Sequence, residues 1–111
     1  MRVEVFTSAE RKSPIDDFIE KCPKGQRSKI IRQLYYLQEF GLTRANPSLK
    51  KLTGAVFWEL RILGKDNIRL LCAQINKSTI MIFNIFYKKK RKTPIKDINL
   101  ALKRYYQLLD K

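Results

Sequence analysis

Between Val56 and Tyr87 the chain carries three apolar runs separated by two short turn signals, and no other passage limits the fold as much. Val56, Trp58, Leu60 and Ile62 alternate with Phe57, Glu59 and Arg61, the period of a strand with two different faces. Gly64-Lys65-Asp66-Asn67 has the composition of a turn, after which Ile68 to Ile75 resumes strand character. Asn76-Lys77-Ser78 breaks the chain again. Thr79 to Tyr87 is apolar on both faces, as expected of a strand inside a covered sheet. Three strands joined by short turns predict an antiparallel meander.

The flanking segments supply helices. Arg2-Val3-Glu4-Val5 alternates as a half-buried strand. Ser13-Pro14, with Asp16 and Asp17 following, forms a helix start: a capping hydroxyl, a proline at the first helical position and acids at the positive end of the dipole. That helix should stop at Cys22-Pro23. A second runs from about Lys24, with Ile30, Ile31, Leu34, Leu37 and Phe40 at helical spacing and Gly41 suited to its end. Leu42 to Gly54, which contains Asn46-Pro47, Lys50 and Lys51, shows no period and reads as a connecting loop. Thr93-Pro94 repeats the cap-plus-proline pattern before a final helix whose predicted apolar stripe is Ile95, Ile98, Ala101, Leu102, Tyr105, Leu108 and Leu109. With 111 residues and 44% hydrophobic content, the expectation is one α+β domain over residues 1–111.

Composition narrows the chemistry. The chain has no histidine, which removes an imidazole base, a Ser-His-Asp triad and an HExxH metal helix. Cys22 and Cys72 lie too far apart for a CxxC pair, so neither a zinc cluster nor any other cofactor is expected. Two lone cysteines without a secretory signal suggest reduced thiols and a cytoplasmic location. The longest apolar stretch, Ile80 to Tyr87, is too short to span a bilayer, so no membrane association is expected. A formal net charge of +14 draws so small a chain toward polyanions, nucleic acid first and an acidic protein second.

Two constellations could use that charge. If the turn after Ile62 is tight, Arg61 and Arg69 lie opposite or diagonal on one sheet face. Paired guanidiniums repel each other but match phosphate oxygens well. A salt bridge from Glu59, two residues before Arg61, is the equally weighted alternative. The run Lys88-Lys89-Lys90-Arg91-Lys92 reads either as a phosphate-binding patch or as a solvated charge run. Tyr87 beside it suits stacking on a base or core packing, whereas Trp58 and Phe86 read as core. The four glycines are isolated and form no phosphate-cradling loop.

The combination of Lys51-Leu52, Phe57-Trp58-Glu59-Leu60-Arg61, Arg69, Phe86-Tyr87-Lys88-Lys89, Lys92-Thr93-Pro94, Ile98, Ala101 and Arg104 resembles the phage-derived, HigB-like branch of the RelE/ParE toxin superfamily. The resemblance covers residues from about 49 to 106. It implies a RelE-like fold with a two-helix hairpin packed on a mainly antiparallel sheet, followed by a last helix. It also implies a type II toxin that cuts mRNA in the ribosomal A site and is silenced by an acidic helix-turn-helix antitoxin. Carried over by position, Arg61, Arg69, Lys88 and Lys89 are the candidate catalytic residues. Lys50, Lys51, Tyr87, Lys90, Arg91 and Lys92 are the candidate RNA contacts. Many relatives have a histidine near the place where this chain has Phe83-Asn84. Two other activities fit such a chain: a ParE-like gyrase inhibitor, and a basic RNA-binding module without catalysis.

Overall fold

The computed structural model describes residues 1–62, 64 and 67–110. In chain order the elements are β1 (Arg2–Val5), α1 (Pro14–Lys21), α2 (Lys24–Phe40), β2 (Leu49–Lys51), β3 (Trp58–Ile62), β4 (Ile68–Asn76), β5 (Thr79–Tyr87) and α3 (Ile95–Leu109). The fold class is α+β, as expected. One five-stranded sheet has the order β1-β5-β4-β3-β2. β2 to β5 pair antiparallel, while β1 returns to run parallel to β5, pairing Arg2–Val5 with Thr79–Ile82.

Strand alternation sorts the residues onto two faces. Val3 and Val5 line a pocket with Ile31, Leu34 and Tyr35 of α2, and Ile62 lies beside Lys29 and Gln33, so the helical hairpin covers that side. Phe18 of α1 packs on Tyr87 at 5.0 Å between ring centroids. The opposite face receives α3, where Tyr105 meets Phe83 and Phe57 at 5.5 and 6.0 Å. Arg104 extends back from α3 to the Phe83 carbonyl at 2.8 Å and lies over the Phe6 ring. Leu60, Leu70, Leu71, Ile80, Ile82, Phe57 and Phe83 are fully buried between these layers. α3 packs mainly over β5, and this leaves the β2–β4 part of its face available for polar side chains.

Four sequence expectations need correction. The segment from Leu42 to Gly54 is not wholly a loop: Leu49–Lys51 forms an edge strand with Leu49 paired to Leu60. A three-residue strand is too short to show a period, and its pairing is dictated by its neighbour. Ser13 caps α1 as expected, accepting from the Asp16 amide at 3.2 Å, but Thr93 does not cap α3. The N-cap there is Pro94, without a side-chain bond, and the Thr93 hydroxyl instead donates to Glu59. Ile95 and Leu109, placed in the apolar stripe of α3, are its first and last residues and are exposed. Phe40 of α2 is also exposed, and Ile31, at the rim of the pocket with Val3 and Val5, is only partly covered. Of the predicted turn, Gly64 and Asn67 both have positive φ, while Lys65 and Asp66 lie outside the described residues.

Candidate nucleic-acid interface

Arg61 and Arg69 are direct register partners across β3 and β4. They share the α3 face of the sheet with Glu59, whose strand neighbour on β4 is Leu71. Two guanidiniums held opposite each other require compensating charge, and Glu59 supplies part of it. Glu59 is 1% exposed, and its Oε1 lies 3.6 Å from Arg69 Nε and 3.7 Å from Lys88 Nζ. Oε2 accepts the Thr93 hydroxyl. The anion-clamp and salt-bridge alternatives therefore divide between the two arginines: Arg69 is paired, whereas Arg61 has no ion pair among the described residues. Arg61 instead donates Nη2 to the Pro47 carbonyl at 2.9 Å, and its Nε is buried without a hydrogen bond. Arg61, Arg69 and Lys88 against Glu59 leave two positive charges uncompensated on this part of the face.

The remaining candidates distribute around that centre. Lys50, paired to Glu59 across the edge of the sheet, is exposed on the same face. Lys51 points to the hairpin side, where its ammonium donates to the carbonyls of Leu52 and Ala55 and closes the loop before β3. Tyr87 pairs with Ile68 and also belongs to the hairpin side, its hydroxyl 3.4 Å from Gln26 Oε1. Lys89 and Lys90 line an open groove of about 750 Å³ with Phe18, Phe86, Tyr87 and Ile95. That groove lies along the second half of β5, beyond the reach of β1, whose pairing ends at Ile82. Arg91 and Lys92 are exposed. The structure thus brings Arg61, Arg69, Lys88 and Lys50 onto one face, places Lys89, Lys90 and Tyr87 in an adjoining groove, and turns Lys51 away.

Buried Asn84 and half-buried Arg104 hold the frame. Asn84 donates Nδ2 to the Asp97 carbonyl at 3.1 Å and accepts from the Ile85 amide at 2.9 Å. Arg104 is partly desolvated, which lowers its pKa below the ordinary arginine value, and it is committed to anchoring α3. Sequence reasoning missed the roles of Pro47 and Thr93. A Thr-Pro pair before a helix resembles a cap, and nothing in its spacing reveals that the hydroxyl donates to an acid two strands away.

Against this geometry, the family model of the "Phage derived protein Gp49-like (DUF891)" matches residues 17–106. The chain belongs to the Gp49-like family of phage-derived proteins. This is a RelE-like, toxin-like family, in agreement with the broader part of the sequence resemblance. The matched region of the Gp49-like chain runs from α1 almost to the end of α3 and contains every residue of the basic face described above. No curated protein matches the chain significantly. No helix among the described residues is long and apolar enough to cross a membrane.

Proposed function

We propose that this Gp49-like chain is a toxin of the HigB-like branch and acts as a ribosome-dependent mRNA endoribonuclease. The observation carrying the proposal is the register pair Arg61–Arg69, joined through Glu59 to Lys88, on a half-buried sheet face with a surplus of positive charge. Such a face suits a phosphodiester, because arginine stays charged and offers forked donors to phosphate oxygens. In the proposed reaction the ribose 2′-oxygen attacks the adjacent phosphorus, the bond to the 5′-oxygen breaks, and a 2′,3′-cyclic phosphate and a 5′-hydroxyl end result. The protein's tasks are to align the strand and to stabilise the phosphorane. Arg61 and Arg69 bear the phosphorane charge. Lys88 faces the same phosphate from the end of β5. The attacking 2′-hydroxyl gives its proton to solvent water, and the ammonium of Lys88 or Lys89 gives one to the leaving 5′-oxygen. Tyr87, in the groove with Lys89 and Lys90, offers a ring edge to a neighbouring base.

A site without histidine fits this division of labour, since charge stabilisation dominates and the ribosome can supply positioning. The surplus of 14 charges also favours an acidic protein partner, in this reading the antitoxin that silences the toxin. Replacing Arg61 and Arg69 together by alanine tests the assignment. The double variant should keep its circular dichroism spectrum, lose growth inhibition on induced expression, and cleave mRNA in a translating extract at least about a hundredfold more slowly. Undiminished cleavage by the folded variant would overturn it.

A further inference from the structure

Among the described residues, Glu59 is the acid that ion-pairs with the cations of the basic face, and its surroundings differ from those of an exposed salt-bridge partner. It is closed off from water, and its two oxygens engage three separate chain segments: Arg69 on β4, Lys88 just past β5, and Thr93 just before α3. A buried carboxylate needs such pairing to remain ionised inside the fold. The segment between its partners, Lys89 to Lys92, is exposed, makes no ion pair among the described residues, and is fixed at both ends by the same carboxylate. Closed in this way, Glu59 is out of reach of a ribose hydroxyl, and its position suits holding cations better than taking a proton from substrate.

We infer that Glu59 is a positioning residue for the phosphate-binding face: it aims Arg69 and Lys88, removes one unit of their charge, and ties the basic run to the arginine pair through Thr93. The inference rests on the proposed reading of this face, and it adds a prediction that a simple charge count reverses. Loss of the carboxylate adds a net positive charge, which strengthens nonspecific attraction to RNA, while the cations lose the alignment that the reaction needs.

The test compares Glu59→Gln, Thr93→Val and Thr93→Ser with the unmodified chain. Binding of a fluorescent single-stranded oligoribonucleotide of about twelve nucleotides is titrated against salt, alongside mRNA cleavage in a translating extract and amide exchange over residues 88–94. Glu59→Gln should bind about fivefold more tightly near 0.1 M salt, with a salt slope steeper by about 0.7, as one extra phosphate contact requires. Its cleavage should fall at least about tenfold, and exchange over residues 88–94 should rise without a change in global protection. Thr93→Val should reduce cleavage in the same direction, and Thr93→Ser, which keeps the hydroxyl, should restore it.

Parallel loss of binding and global protection in Glu59→Gln would reduce Glu59 to a packing role and overturn the inference. Lost cleavage with an unchanged salt slope and a normal Thr93→Val would also overturn it, pointing to direct chemistry at Glu59. If the unmodified chain binds RNA but does not cut it, the nuclease reading fails. The salt slope and exchange then still decide the positioning role, and no change in either contradicts it. Absence of RNA binding by the unmodified chain would overturn both readings.

Discussion

Glu59 and Cys72 are both shut away from water, and the chain resolves the two burials in opposite ways. Around Glu59 the cations Arg69 and Lys88 gather within ion-pairing distance. Around Cys72, whose Sγ lies 3.6 Å from the Trp58 carbonyl, burial pushes the thiol up from its ordinary 9.0 to about 12, and the group stays neutral. The consequence for stability has a definite sign. Below pH 9.0 the thiol is protonated in both the folded and the unfolded chain, so its contribution is fully present. Between 9.0 and about 12 only the unfolded chain ionises, and stability falls. The stability advantage of the unmodified chain over Cys72→Val should therefore shrink between about pH 8 and about pH 11 in denaturant melts, whereas a constant difference would contradict the burial argument. Both cysteines are free and buried, so alkylation of either should require unfolding.

At the scale of elements, α1 and α3 carry the same Ser/Thr-Pro signature, and only one of them uses it as a cap. Ser13→Ala should cost about 1 kcal/mol, read as a lowered melting temperature, because it removes an acceptor for the Asp16 amide. Thr93→Val should leave exchange in the first turn of α3 unchanged, since its hydroxyl bonds Glu59 and not the helix. Phe57→Ala should cost about 3–5 kcal/mol, because that ring is fully buried against Phe83 and Tyr105. This contrast marks what was legible beforehand. β3, β4 and β5 are written in alternation and in buried apolar runs, so their order can be read directly, although β3 starts at Trp58 and not at Val56, where the alternation begins. The Arg61–Arg69 pairing follows from the short span between β3 and β4. β2 could not be read, because three residues have no period. The parallel return of β1 to β5 was equally hidden, since it depends on how the hairpin of α1 and α2 crosses the sheet. Glu59 was visible as a possible partner for an arginine, but its link to Thr93 joins residues 34 positions apart, a contact that only the folded chain defines.

For the molecule as a whole, the architecture explains why its charge is usable. The hairpin covers one side of the sheet, and α3 covers the β5 end of the other, so the arginines of β3 and β4 stay near the surface on a rigid support. The basic run after β5 extends the same positive field around the end of the sheet, toward the groove beneath α3. A phosphate backbone attracted by the net charge would meet a face in which Arg61 and Arg69 are already in register. Mapping transcript 5′ ends after induced expression tests this account most directly. New ends inside translated frames are predicted, and they should vanish when Arg61 and Arg69 are both alanine. Intact transcripts accompanied by broken DNA would contradict it and identify the chain as a gyrase poison built on the same fold.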